Sequence, residues 1–388
     1  MIRLALPLEG IRVIDLSRLL PGPHCSLMLA DFGADVIKVE KPIEGDPSRW
    51  KDPKLGEHSI MYVALNRNKR SIALDLKRQE DREIFIDLVK SSDVLIESFR
   101  PGVMARLGLS YEDVKRYNPR LIYCSITGYG QKGPFAQKPG HDLNFSAYSG
   151  LLYFQEGHMN EPLIPSVQIG DLGSGALMAF NGILLALMEA SKSGEGQHID
   201  LSMLDSYIYK MQTILPHYFA NRMHPDREKL RFDDERACYE TYKTKDGRYL
   251  AVGAFEYKFW TNFCKVIEKE ELIPKLHAPL EEQKKMKAEI QSILRKKTLQ
   301  QWLLLFNEDE TCVSPVLTPE EIVENEHIQH RQMIEDRQLP DGTLIKQISN
   351  PIKMSRSKTM NRRPAPQLGE HTDEILEELG YVHSKEDS

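Results

Sequence analysis

The chain of 388 residues has only five cysteines, and Cys25, Cys124, Cys238, Cys264 and Cys312 form no CxxC pair. An odd, scattered set excludes a full disulfide framework. It predicts reduced thiols in a cytoplasmic protein, with Cys124, Cys264 and Cys312 in apolar surroundings. Histidine is no better placed for a metal: His24, His58, His141, His198 and His217 show neither HxH nor HxxxH spacing, so no metal site is expected. Positive charge is not in excess, because 51 Lys and Arg stand against 57 Asp and Glu, a net charge of −6. That excludes a global field attracting nucleic acid or an acidic membrane, and neither partner is expected. The apolar stretch at the start is too short for a signal peptide. No apolar span of the roughly 18 residues that a membrane crossing needs is read elsewhere. Internal repeats and low-complexity tracts are also missing.

What is present is a globular balance of 41% hydrophobic and 28% charged residues, enough for a sizeable core and for two domains. The first half alternates short aliphatic runs with helical stretches. Residues 12–16, 35–40, 71–74, 94–97 and 121–126 read as strands, and 24–32 and 78–90 as helices. This interleaving predicts an α/β fold, a Rossmann-like parallel sheet with helices on both faces. Pro21-Gly22-Pro23 after the first run reads as a turn, without the GxGxxG glycines that admit a pyrophosphate. Residues 175–190 are apolar almost all round and predict a buried helix. A charged stretch from about 220 to 235 reads as a linker. Beyond it, a hairpin around Asp246-Gly247 and helices at 258–267, 280–295 and 299–306 make a smaller α+β unit. A short helix from about 319 toward 330, strand character over 331–351 and a last acidic helix at 369–380 complete the chain. The expected division is a large domain over 1–222, a small domain over 223–330 and a C-terminal segment over 331–388.

Three glycine-bordered stretches carry proton-handling candidates. Gly140-His141-Asp142-Leu143-Asn144-Phe145 offers a histidine, Gly170-Asp171-Leu172-Gly173 a carboxylate ahead of the apolar helix, and Gly253-Ala254-Phe255-Glu256-Tyr257 a lone acid. Two bases facing each other across one carbon are what a 1,1-proton transfer needs. Each candidate has a plainer reading. Asp171 suits a helix cap, with even odds between the two roles. A loop histidine is ordinarily a surface or core residue. Glu256 is either an exposed first residue of a helix or a desolvated acid. Adjacent side chains often point apart, so Asp142 is not paired with His141; a carboxylate distant in sequence is the better partner. In a functional reading the amides near Asp171 would stabilise an enolate oxygen. Lys38, Lys41, Arg67, Lys69, Arg70 and Arg100 fall at strand ends and turns. Any one of them is ordinarily solvated surface, but a cluster at one sheet edge would suit the phosphates of a bulky anion, 66–70 being the strongest candidate.

Further stretches carry a resemblance: Leu8-Glu9-Gly10-Ile11-Arg12-Val13, Asp31-Phe32-Gly33-Ala34-Asp35-Val36, Arg100-Pro101-Gly102-Val103, Thr127-Gly128-Tyr129-Gly130 and Asp246-Gly247-Arg248-Tyr249. Over nearly its whole length the chain resembles the class III (family III) CoA-transferase superfamily, most closely its α-methylacyl-CoA racemases. The resemblance implies His141, Asp171 and Glu256 as the catalytic set. Transferases of the superfamily keep the aspartate but generally lack the histidine and glutamate. Phe145 stands where a ligand-facing tyrosine is common, and Lys41 where an arginine is common, so a hydroxyl and a bidentate phosphate contact are lost. The implied fold is a large Rossmann-like domain built from both chain ends with a small domain inserted, in an interlinked homodimer where Glu256 reaches His141 across subunits. The implied reaction is epimerisation of 2-methyl-branched acyl-CoA through an enolate, with no catalytic cofactor and coenzyme A present as part of the substrate. The alternatives are CoA transfer between carboxylic acids through an Asp171 acyl anhydride, and a CoA-thioester-binding protein without turnover.

Overall fold

The computed structural model describes residues 6–155, 161–221, 236–306 and 310–381. Six strands form one sheet: β1 (Arg12–Asp15), β2 (Asp35–Glu40), β3 (Lys69–Ala73), β4 (Val94–Glu97), β5 (Ile122–Thr127) and β6 (His198–Ser202). Their order is β3-β2-β1-β4-β5-β6, and every neighbouring pair is parallel. Helices α1 (Pro21–Asp31), α2 (Gln79–Lys90), α3 (Asp142–Ser149), α4 (Leu177–Ser193) and α5 (Met203–Lys210) lie between or after the strands. Alternation along the strands feeds two cores. Val13, Val36, Ile96 and Cys124 join α1 and α4 residues in one. Ile14, Ile37, Leu95 and Tyr123 join Phe85, Leu88 and Val89 of α2 in the other. A parallel sheet covered on both faces needs apolar residues at every position, so its strands read as continuous aliphatic runs.

Several boundaries differ from expectation. Pro21-Gly22-Pro23 is the first turn of α1, not a free turn, with Leu20 as N-cap; proline at the first helical position loses no hydrogen bond. Gly22 is required there, because a Cβ would lie 2.0 Å from Ser17 Cβ. Strand β3 begins at Lys69, so Lys69 and Arg70 lie inside the sheet rather than on a loop. The apolar helix is longer than expected: Gly170–Ala176 forms a π-helical turn that runs straight into α4. At 24 residues, Gly170–Ser193 is long and apolar enough to cross a membrane, by length and composition, contrary to the expectation that no such span occurs. Nor is it buried all round. Ala179, Ile183, Ala186 and Ala190 enter the core, while Leu177, Leu185 and Met188 are 42%, 67% and 60% exposed.

The chain divides into two compact units, residues 1–211 with 332–388, and 212–331. In the first, the antiparallel hairpin Ile334–Gln338 with Leu344–Ile348 precedes a final helix, Thr372–Glu378. That helix is tied to β3 by Arg70, which pairs with Glu378 at 2.7 Å and Glu374 at 2.9 Å. In the second unit Tyr239–Lys243, Tyr249–Gly253 and Val313–Pro315 form an antiparallel sheet over a core containing Trp260, Phe263, Trp302 and Phe306. From residue 222 on, the charged stretch read as a linker lies outside the described residues. Cys312 is exposed, not buried in a core as expected; it precedes the edge strand of this small sheet, where little covers it. The other four cysteines are buried thiols.

Candidate active site

The strand order reverses between β1 and β4, and doubly wound sheets form their ligand crevices outside the carboxyl ends of the strands at such a point. A cavity of about 480 Å³ lies there. Its walls follow β1 (Ser17, Arg18), β2 (Lys41, Glu44), β3 (Leu74, Lys77) and β4 (Phe99, Arg106). The Arg18 guanidinium sits 4.9 Å from the centre of the Phe99 ring, which leaves a flat cationic and aromatic wall. Lys41 lines this cavity, exposed and paired with Glu44 at 2.7 Å. Arg100 is exposed and is not among the lining residues.

The strongest basic candidates do not present themselves to a ligand. Arg67 is bidentate to Asp31 at 3.0 and 2.6 Å. Lys69, fully buried, donates to Asp15 at 3.1 Å, Pro23 O at 3.0 Å and Asn66 Oδ1 at 2.9 Å. Arg70 is held by Asp35 as well as by the final helix. Lys38 lines the switch-point cavity, but its ammonium is taken up by Asp46 at 2.9 Å and by Ser17 O at 3.0 Å. Charges at sheet positions must be matched, and these are. Burial pushes the Lys69 ammonium down to about 8 although Asp15 opposes the shift. Burial disfavours the Asp15 carboxylate, yet Lys69 and Lys38 outweigh it and hold its pKa well below the ordinary carboxylate value.

Two of the three proton-handling candidates lie elsewhere in the large unit. His141 is the exposed N-cap of α3, its amide donating to Asn144 Oδ1 at 3.0 Å. Asp171 lies in the π-helical turn. Between them stands Asp142. One of its oxygens, Oδ1, accepts from Gly170 N at 2.5 Å, Asp171 N at 3.1 Å and Tyr207 Oη at 3.1 Å. Gly170 makes this approach possible, since a Cβ there would lie 2.4 Å from the same oxygen. From α5, one turn beyond Tyr207, Lys210 donates to Gly173 O at 3.0 Å and Ser174 Oγ at 2.7 Å. Wide π turns recur at functional sites, and this one is held from both sides. The Asp171 carboxyl is pushed up to about 6, first by burial and then by the Asp142 carboxylate, with His141 pulling the other way.

Two expectations change as a result. The amides of Gly170 and Asp171 are occupied by Asp142, so they are not free to stabilise a substrate oxygen. Phe145 is a core residue, 3% exposed and edge-to-face with Tyr129 at 5.1 Å. Its ring supports Gly128 and Gly140, at either of which a Cβ would collide with it. Glu256 belongs to the other compact unit, exposed at the N-cap of the helix Tyr257–Val266 without capping it through its side chain. Its geometry is that of the exposed helix-start residue, not of a desolvated acid. Among the described residues no group of three or more His, Cys, Asp or Glu could hold a metal ion.

A switch-point crevice with a cationic rim and, elsewhere in the same unit, a carboxyl poised near neutrality are features that suit an enzyme for anionic, bulky substrates. The chain belongs to CoA-transferase family III, whose model matches residues 8–372, and the family acts on CoA thioesters. It is 35% identical to alpha-methylacyl-CoA racemase of Homo sapiens, covering 96% of this chain and 94% of that protein. It is 34% identical to succinyl-CoA:glutarate CoA-transferase of Homo sapiens, covering 96% of this chain and 86% of that protein. The crystal structure of a CAIB/BAIF family protein from Brucella suis superposes with a TM-score of 0.82 at 29% identity, over 96% of this chain and 99% of that one.

Proposed function

We propose that the protein is an α-methylacyl-CoA racemase, moving the α-proton of 2-methyl-branched acyl-CoA thioesters between His141 and Asp171. The observation that carries this reading is the Asp171 carboxyl, pushed up to about 6 beside a histidine. A carboxyl near neutral pKa both takes and returns a proton at physiological pH. A carboxylate that attacks a thioester needs only to be ionised, and gains nothing from a second base. The substrate enolate requires donors at its oxygen, each worth roughly 3–4 kcal/mol when well aimed. With the Gly170 and Asp171 amides occupied, the leading amides of α3, those of Asp142 and Leu143 beside His141, are the better donors, since the Asn144 and Phe145 amides already donate to His141 O at 2.8 and 3.3 Å. The nucleotide end of coenzyme A suits the switch-point cavity, with Arg18, Lys41, Lys77 and Arg106 toward its phosphates. An interlinked pair of subunits, and a pairing of Glu256 with His141, belong to the same proposal.

The test is proton NMR of a 2-methylacyl-CoA in deuterium oxide without any acceptor acid. Loss of the α-proton signal together with optical purity supports racemisation. The second reading, CoA transfer, is favoured by the similarity to the glutarate transferase. A substrate left intact until succinate or glutarate is added, with CoA then moving to that acid, replaces the first reading with this one.

A further inference from the structure

Asp142 carries no role in the reaction as proposed, yet its geometry is the most constrained in the site. Three donors from two places in the chain converge on one oxygen: Gly170 and Asp171 from the π turn and Tyr207 from α5. The same residue follows His141 directly and opens α3. The geometry points to Asp142 as the positioning residue of the site, the strut that fixes the turn bearing Asp171 relative to the helix start bearing His141. This inference rests on the reading of His141 and Asp171 as the two proton carriers.

Two physical consequences separate this role from a mere structural bond. First, the π turn has an irregular backbone whose leading amides lack helical acceptors, so Asp142 supplies the acceptor that holds it in place. Second, Asp142 is the like charge that acts on Asp171 among the described residues, so the carboxylate that positions the turn also raises the pKa of its neighbour by its charge. The other elements packed on the turn are α1, α3, α4 and α5. Their titratable groups are His24, Cys25 and Asp31 on α1, His141 and Asp142 at the start of α3 with Tyr148 near its end, Glu189 and Lys192 near the far end of α4, and Asp205, Tyr207, Tyr209 and Lys210 on α5. Of these, only Asp142 and His141 shift Asp171. His24 answers instead to Lys69, Arg67 and Asp31 after burial.

The test uses the full chain with ¹³C-labelled aspartate and follows the Asp171 carboxyl by NMR titration. Asp142→Asn keeps an acceptor oxygen and removes the charge, and should lower the Asp171 midpoint by about one unit. Tyr207→Phe removes one donor, keeps the charge, and should leave that midpoint in place. Asp142→Ala removes both, and should move the amide signals of Gly170 and Asp171 and lower α-proton exchange about 100-fold. Asp142→Asn should recover most of that loss, with the acidic limb of its pH profile displaced downward. An Asp171 midpoint that is the same in wild type, Asp142→Asn and Asp142→Ala would overturn the proposal. So would an Asp142→Ala enzyme with the wild-type rate and pH profile. If the wild-type protein exchanges no α-proton while the midpoint still falls in Asp142→Asn, the positioning role stands and the racemase reading fails.

Discussion

Two polar clusters in the large unit handle charge in opposite ways. Under the sheet, Asp15, Lys38, Lys69 and Asp46 alternate in sign, and Arg67 and Arg70 are each clasped by carboxylates. Around the π turn, Asp142 and Asp171 are two carboxylates side by side with one histidine near them. In the first cluster opposite charges keep the Asp15 and Asp46 carboxylates ionised throughout the physiological range. In the second, burial and a like charge bring a carboxyl to about 6, where a proton comes and goes. On the proposed reading, chemistry falls where the charges are left unbalanced, and stability where they are balanced.

The comparison is broken most severely at Asp171. Asp171→Ala should lower α-proton exchange and racemisation by about 10³-fold or more, measured by loss of the NMR signal, with the far-UV spectrum unchanged. His141→Ala should abolish racemisation yet leave slow, one-sided exchange by the surviving carboxylate. The converse experiment is Asp15→Ala. Leaving Lys38 and Lys69 unmatched should cost about 3–5 kcal/mol in denaturant unfolding, with any loss of activity tracking the loss of folded protein.

A smaller effect tests the sign of the imbalance. The folded Asp171 carboxyl titrates above its ordinary 3.8, at about 6. Its contribution to stability is therefore fully present below the unfolded value and is lost as pH rises through about 6. Asp171→Asn escapes that loss, so it should melt about 2–4 °C above wild type at pH 8 and match it near pH 4, while remaining inactive. Glu97 sharpens the point, because burial pushes its pKa up to about 7 although Ser125 and the Phe99 amide oppose the shift. Glu97→Gln should show the same pH-dependent stabilisation, with its midpoint nearer 7, and leave α-proton exchange unchanged. A raised pKa marks function only together with the second base. The smallest effect is expected at the cavity rim: Arg18→Ala with Lys77→Ala should raise KM for acyl-CoA by roughly 10-fold at low salt, with kcat and melting temperature preserved.

The sheet was legible because parallel strands buried on both faces must be aliphatic throughout, as at Val36-Ile37 and Leu95-Ile96. The ligand-facing cations were not. Arg67, Lys69 and Arg70 look like a phosphate loop in one dimension, but moving the start of β3 two residues earlier places two of them inside the sheet. Arg18, Lys77 and Arg106 could have been found from the strand order, since each follows the carboxyl end of a strand near the switch point. His141 and Asp171, the proposed proton carriers, were singled out by their glycine-bordered stretches. Asp142 was not, because its partners stand 28, 29 and 65 positions away and no spacing rule reaches that far.

The final helix gives the chain a particular order of assembly. Glu374 and Glu378 on Arg70, and Tyr381 on Asp87, are contacts that the large unit receives only from the last stretch of the described chain. During synthesis the sheet strands emerge first, yet β3 waits for its anchoring acids until the whole of 212–331 has been made. The second unit, continuous in sequence, can finish before the first one closes. Of the two units, the one begun first is thus completed second, and a chain stopped between residues 332 and 373 would carry a complete small unit and a sheet whose Arg70 has Asp35 but not yet its partners from the final helix.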